Sequence, residues 1–166
     1  MHTVGLLHSG NKESFVSQVD ALKTILGSDV TVVEQYARDS DKLLKLYAEG
    51  FVKNNAVEVI IAAGGPEPTC AAKAATEKLQ NATPAQNRKP IVFTTVADPV
   101  GNGIVADLKK PGGNLTGMAG KTSELDGPRF LILNALVPND AKKERIMAVL
   151  TRKGRPNVEE QFGEIK

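Results

Sequence analysis

Short apolar runs alternate with amphipathic stretches along the first half of the chain. The apolar runs, which predict buried strands, cover residues 3–8, 30–33 and 57–63. Between and after them, apolar side chains recur at helical spacing, which predicts helices over residues 15–26, 41–52 and 66–79. Gly27 is the expected stop of the first helix, and Asp39 or Ser40 is the expected N-cap of the second.

The second half of the chain predicts less regular elements. A fourth strand over residues 90–96 follows a polar linker over 81–89, and Asp98-Pro99 begins a turn. The remaining expected elements are a short helix over 104–108, a strand over 115–118, a helix over 123–136, a strand over 146–150 and a helix over 158–165.

The order of these elements predicts the fold class. Nearly all-apolar strands separated by helices are typical of a parallel sheet that is covered on both faces, so we expect an α/β protein, a three-layer αβα sandwich with a mostly parallel sheet. In such sheets ligands bind beyond the carboxyl ends of the strands. The loops expected at that edge are residues 8–11, 64–69, 94–101 and 117–122.

Composition then narrows the function. The 166 residues are 41% hydrophobic and 24% charged, which is typical of a globular protein of one domain or slightly more. A net charge of +2 argues against a dedicated nucleic-acid binder. One cysteine and two histidines exclude an internal disulfide and leave little for a metal centre, so neither a metal nor a cofactor is expected. No apolar run reaches the ~18–20 residues of a membrane span, and no signal peptide is evident.

The loop after the third predicted strand is the first candidate binding site. Free N–H groups at the start of the following helix, together with its dipole, favour a carboxylate or phosphate. Pro66 and Pro68 remove two of those donors, and Glu67 adds a negative charge. The alternative is a tight turn in which Thr69 or Glu67 is a first-turn partner. The loop matches neither of the glycine-rich patterns that bind nucleotides, G-x-G-x-x-G and the P-loop.

Two further candidates each have a structural alternative. Cys70 is in the first turn of that helix, where the dipole lowers a thiol pKa, so a nucleophile with His8 as base would give a flavodoxin-like enzyme. The alternative for Cys70 is a small buried residue. Asp98 is either a ligand for an amine or hydroxyl, or the first residue of an Asp-Pro turn. Ser9, Gly10 and Asn11 follow the first strand, where they can donate to a ligand. The alternative is that Ser9 or Asn11 caps the helix that follows, and both roles can hold together.

Two motifs in the second half of the chain carry a family resemblance. Ala97-Asp98-Pro99-Val100-Gly101, followed by Pro111-Gly112-Gly113-Asn114-Leu115-Thr116-Gly117, resembles the substrate-binding proteins of ABC-type uptake systems, several of them tied to amino-acid uptake. The resemblance runs from the first strand to about Val158. It implies one lobe of a type I periplasmic-binding-protein fold, whose two lobes close on a small molecule.

The resemblance also implies a role, partners and site residues. The role is that of a non-enzymatic receptor that holds an amino acid or small carboxylate outside the cytoplasm and presents it to an ABC permease. The cytoplasm stays possible for a form without a signal peptide. The ligand-binding residues that it implies in the first lobe are Ser9, Gly10, Gly65, Pro66, Glu67, Thr69, Thr95, Val96 and Asp98. Thr151 and Arg152 would face the ligand from the second lobe. The family often has a hydroxyl residue where this chain has Pro66.

The positions of the motifs predict how the chain is divided. Residues 1–122 are expected to form a complete N-terminal lobe, and residues 123–166 the start of a second lobe that stops after one strand and one helix. Because a lone strand is not stable by itself, residues 123–166 are a candidate for pairing with a second copy of the chain. A non-binding, dimeric interaction module is therefore an alternative function.

Overall fold

The computed structural model describes residues 2–83, 88–120 and 125–136. The chain divides into two compact units, Met1–Gly120 and Lys121–Lys166. That the first unit is a complete lobe, and that the second begins another, stays a prediction. The strands and helices expected beyond residue 136, as well as Thr151 and Arg152, lie outside the described residues, and so does most of the segment expected to pair in a homodimer.

The first unit contains a five-stranded parallel sheet in the order β2-β1-β3-β4-β5. The strands are β1 His2–His8, β2 Val30–Tyr36, β3 Val59–Ala63, β4 Ile91–Ala97 and β5 Leu115–Gly120. The helices are α1 Val16–Leu26, α2 Asp41–Lys53 and α3 Pro66–Ala82, with α4 Asp126–Leu136 in the second unit. The predicted α/β class with its parallel sheet is confirmed.

Alternating side chains of the central strands build a core on each face of the sheet. Val4 and Leu6 of β1 pack with Val19 of α1 on one face. Leu7 and Ile60 pack with Phe51 of α2, and with α3, on the other. Burying a side chain such as Leu7, which has no exposed surface, stabilises the fold by roughly 1.5–3 kcal/mol. The sheet is thereby fixed between two helical layers, and its strand ends are held in place.

The helix boundaries follow local chemistry. Ser40, not Asp39, is the N-cap of α2, because its Oγ accepts from the Leu43 N–H at 3.4 Å. Gly27 ends α1 as expected: its φ is 78°, and its N–H donates to the Lys23 carbonyl at 3.0 Å. α3 continues to Ala82, so the first two residues of the predicted linker are helical instead.

The predicted helix over residues 104–108 is wrong, because this segment consists of turns and bends. Ile104 and Val105 are buried in the core, and both of their N–H groups donate to the Pro99 carbonyl, at 2.9 and 3.2 Å. The Asp107 carboxylate accepts from the N–H groups of Lys109 and Lys110 at 2.7 and 2.8 Å. These amides already have acceptors, so no helical ladder forms. Within the described ranges, no helix is long and apolar enough to cross a membrane.

Candidate functional site

Three of the four predicted loops lie at the carboxyl edge of the sheet. The Ser9 N–H donates to the Ala63 carbonyl at 3.2 Å, which joins the loop after β1 to the end of β3. The turn after β2 is tied to the same loop, because the Asp39 N–H donates to the Ser9 carbonyl at 2.6 Å. The loop after β4 begins at Asp98, beside the end of β5. The fourth loop lies partly in β5 and partly outside the described residues.

Backbone strain is concentrated at this edge. Of the described non-glycine residues, those with positive φ are Arg38 at 49°, Asp39 at 59° and Asp98 at 45°. All three directly follow β2 or β4. A side chain in this conformation costs of order 1–3 kcal/mol and persists only where its surroundings hold it, as they often do at functional sites. The strain therefore supports a site at the carboxyl edge, independently of any motif.

The turn after β3 depends on two glycines. Gly64 and Gly65 have φ values of 92° and 118°. A Cβ on Gly64 would lie 2.3 Å from the Ser9 Oγ and 2.7 Å from the His8 Cε1. The Ser9 hydroxyl instead donates to the Gly64 carbonyl at 2.7 Å. The absence of side chains thus lets the loop after β1 approach the beginning of α3.

The N-terminus of α3 has two backbone N–H groups at its first turn. Gly65 is the N-cap, and Pro66 and Pro68 have no N–H, so the N–H groups without a helical acceptor are those of Gly65 and Glu67. The Glu67 Oε2 lies 2.8 Å from the position of a Cβ on Gly65, which brings the carboxylate back to the helix end. Pro66, Glu67 and Gly65 are all partly exposed, so a ligand can reach this part of the predicted site.

Thr69, Val96 and Thr95 differ in their access to solvent. Thr69 has no exposed surface, and its hydroxyl donates to the Gly65 carbonyl at 3.4 Å, so it stabilises the turn from its buried side. The Val96 side chain is also buried and belongs to the core. Thr95 is exposed. Contact between a ligand and any of these residues stays a prediction.

Asp98 forms the turn that was the alternative to a ligand role. Its Oδ1 accepts from the Gly101 N–H at 2.9 Å, and its carbonyl accepts from the Asn102 Nδ2 at 2.8 Å. The same amide also donates to the Ala97 carbonyl at 2.9 Å. Asp98 is partly exposed nevertheless, so the turn presents its carboxylate at the carboxyl edge, and its contact with a ligand stays a prediction.

The sequence predicted only one possible role for His8, that of a base, and the structure shows more about this residue. It is 2% exposed, and its Nδ1 accepts from the Gly10 N–H at 2.8 Å, which places the proton of the neutral ring on Nε2. The Nε2 is buried and has no hydrogen-bond partner among the described residues. Burial lowers the pKa of His8, and the nearby Asp39 carboxylate opposes that shift. The ring packs on Phe15 with a centroid distance of 3.7 Å.

The expectation that the helix dipole lowers the pKa of Cys70 is wrong in direction. Burial raises the pKa of this thiol, Glu67 raises it further, and the opposing effect of Lys73 is smaller than that of burial. Cys70 packs against the core beneath α2 and α3. A thiol that is held protonated is a poor nucleophile. Across the described parts of the chain, no group of three or more acidic, histidine or cysteine side chains is placed to hold a metal ion.

Solved structures with a similar fold come from three bacteria. An ABC domain from Streptococcus pneumoniae, in complex with L-Trp, is 18% identical with a TM-score of 0.55, over 71% of this chain and 38% of that one. A conserved domain protein from Vibrio cholerae O1 biovar El Tor is 24% identical with a TM-score of 0.62, over 81% and 44%. A substrate-binding protein with adhesive properties from Clostridium difficile, in a ligand-free, open structure, is 21% identical with a TM-score of 0.56, over 78% and 43%.

These similarities establish the fold and the extent of the match. The chain spans about two fifths of the length of each of these solved chains. No curated protein matches the sequence at a significant level. The model of one family, described as ABC transporter substrate binding protein, matches residues 51–153, a region that includes the beginning of α3 and both resemblance motifs. The chain therefore belongs to the family of ABC transporter substrate-binding proteins.

Proposed function

We propose that this protein binds an amino acid at the carboxyl edge of its sheet, as the solute-binding component of an ABC-type uptake system. The observation that carries the proposal is the Gly64–Gly65 turn, which opens the N-terminus of α3 beside the loop after β1. The family match supports a solute-binding role, and the L-Trp complex of the Streptococcus pneumoniae domain supports an amino acid as the solute.

The chemistry of the turn suits a molecule with both charges of an amino acid. The N–H groups of Gly65 and Glu67, at the positive end of the α3 dipole, favour a carboxylate. The Glu67 carboxylate, close to Gly65, favours an ammonium group. A donor pair and an acceptor within one turn therefore recognise a zwitterion better than a simple anion, which Glu67 repels.

The partner and the location of the protein follow from the same proposal. A solute-binding component of an uptake system acts outside the cytoplasm and delivers its solute to a membrane permease. We propose binding rather than catalysis, since the raised pKa of Cys70 disfavours the nucleophile that a flavodoxin-like enzyme would need.

The proposal is tested by measuring thermal stability of the full chain with each of the twenty L-amino acids. A ligand at 100 times its Kd raises the free energy of unfolding by about 2.7 kcal/mol. For each amino acid that binds, the matching amine without a carboxylate and the matching acid without an amine are measured as well. We expect the amino acid to bind more tightly than either. If no amino acid stabilises the chain, the proposed function is wrong.

Replacement of Glu67 tests recognition of the solute ammonium group separately from recognition of its carboxylate. Glu67→Gln keeps the shape of the side chain and removes its charge, so we expect about a tenfold loss of amino-acid affinity, as charged hydrogen bonds contribute roughly 1.5–3 kcal/mol. Affinity for the acid without an amine should stay equal or rise. Glu77→Gln, further along α3, is the matched control and should bind like the wild type. Equal affinity of Glu67→Gln and wild type for the amino acid would exclude an ammonium contact at Glu67.

A further inference from the structure

A buried donor at the carboxyl edge has no acceptor among the described residues. His8 is the last residue of β1, and its ring is held in one orientation by the Gly10 N–H on Nδ1 and by Phe15 on its face. The Nε2–H is therefore fixed in direction, yet no described residue accepts from it. Such a group costs about 1–3 kcal/mol, and folded proteins rarely keep one without a reason.

The position of Nε2 indicates where an acceptor would lie. The atom is 3.1 Å from the place that a Cβ on Gly64 would occupy, and Gly64 itself is exposed. The Gly64 backbone therefore passes directly beside Nε2, where any side chain would collide with the His8 ring and with Ser9. It adjoins the Ser9 hydroxyl and the beginning of α3, the same turn that carries the proposed binding site.

We propose that the Nε2–H of His8 donates to an oxygen of the bound solute beside the Gly64 turn. This inference rests on the proposed function and adds a specificity-determining residue to it. The oxygen belongs to the solute carboxylate, since the neighbouring donors of α3 favour the same group. A solute with no oxygen there leaves the buried Nε2–H without a partner and is rejected for that reason.

Two substitutions of His8 distinguish the role of its Nδ1 from that of its Nε2. His8→Asn keeps an oxygen that can accept from the Gly10 N–H but has no atom at the position of Nε2. His8→Gln has a longer side chain, whose amide can donate from about that position. For the amino acid that stabilises the wild type most, we expect the Kd of His8→Asn to rise about tenfold or more and that of His8→Gln to stay within about threefold, by calorimetry.

Adding a side chain at Gly64 is an independent test. Gly64→Ala places a methyl group against the His8 ring and the Ser9 hydroxyl, so we expect loss of amino-acid binding. Gly27→Ala is the matched control: Gly27 has a similar φ of 78°, with nothing within 4 Å of the added Cβ. Both alanines therefore carry the same kind of backbone strain, but the control should bind like the wild type. Equal binding by Gly64→Ala would overturn the proposal.

The wild type supplies a readout that needs no variant. Long-range ¹H–¹⁵N spectra should assign the proton of free His8 to Nε2 and show the Nε2 resonance shifting when the amino acid is added. A proton on Nδ1, or an unchanged Nε2 resonance at saturation, would overturn the role of His8 even where a variant fails to fold. Unchanged affinity in His8→Asn contradicts this inference and leaves the proposed function standing, whereas failure of every amino acid to bind the wild type removes both.

Discussion

The two edges of the sheet handle their polar groups in opposite ways. At the carboxyl edge, Arg38, Asp39 and Asp98 have strained backbone conformations, and the buried His8 Nε2 has no acceptor in the part of the chain that the structure describes. At the amino edge, the Lys89 Nζ donates to the carbonyls of Phe51, Asn54 and Val57. The carboxyl edge thus retains strained and unpaired groups, whereas the amino edge supplies a donor to the carbonyls at and after the C-terminus of α2.

The amino edge is built for stability. The Phe51 carbonyl in the last turn of α2 has no helical donor, and the Lys89 ammonium satisfies it while also opposing the negative end of the helix dipole. The Asn54 carbonyl accepts from the Val57 N–H at 3.0 Å as well as from Lys89. The Asn114 Nδ2 donates to the Lys89 carbonyl at 2.6 Å, which ties this segment to the beginning of β5. Burial lowers the pKa of Lys89, and these three carbonyls are what keep the charge acceptable there. Changes at this edge should therefore alter folding and leave the affinity for a solute unchanged.

The largest expected effect is at Lys89. Lys89→Met keeps much of the aliphatic stem and leaves three carbonyls without their common donor, so we expect the free energy of unfolding to fall by about 2–4 kcal/mol. Urea denaturation measures the change. Lys78→Met is the control, because Lys78 makes an exposed ion pair with Glu49 at 2.8 Å, which is worth about 0–1 kcal/mol. Similar losses in the two variants would mean that the amino edge is not specially stabilised by Lys89.

The next effect is a pH dependence that originates at the carboxyl edge. The pKa of folded His8 is lowered from its usual 6.5, so below pH 6.5 the unfolded chain takes up a proton that the folded chain does not. The free energy of unfolding therefore falls as the pH drops through this range, until folded His8 itself becomes protonated. In His8→Gln this contribution is absent, and the other titrating groups are the same in both proteins.

Denaturation of both proteins at pH 7.5 and pH 5.5 isolates that contribution. We expect the wild type to lose more stability between the two pH values than His8→Gln does. The difference between the two losses belongs to His8, since every other titrating group is shared. Equal losses would place His8 in a solvated environment, contrary to its burial.

Much of the fold was predictable because its signals are local. The apolar runs of β1 and β3, and the glycines that follow them, are determined by short stretches of sequence. Residues 104–108 misled the prediction because two of the apolar residues that suggest a helix, Ile104 and Val105, are instead buried in a loop whose N–H groups donate to the Pro99 carbonyl. The competing signal was Asp107, whose carboxylate takes the N–H groups that the next helical turn would have used.

The candidate site was predictable only as an edge of the sheet. Parallel topology places the loops together, but it does not say which side chains turn inward. Val96 is buried because it packs in the core with residues distant in sequence. Thr69 and Asp98 are held by local contacts, with the Gly65 carbonyl and the Gly101 N–H. The unpartnered Nε2 of His8 depends on Gly10, Phe15 and Gly64 together, and no short motif contains that combination.

The smallest expected effect measures the strain at the carboxyl edge directly. Arg38 has a φ of 49°, and its N–H donates to the Gly10 carbonyl at 3.1 Å, so the conformation is held by the loop after β1. Arg38→Gly removes the steric penalty while costing some backbone entropy, and we expect a net gain of about 0.5–1 kcal/mol in the free energy of unfolding. Arg38→Ala loses the same side chain but keeps the strain, so it should show no such gain. If both variants are equally stable, the side chain of Arg38 rather than its backbone sets the energy of this turn, and the contrast between the two edges then rests on Asp39, Asp98 and His8.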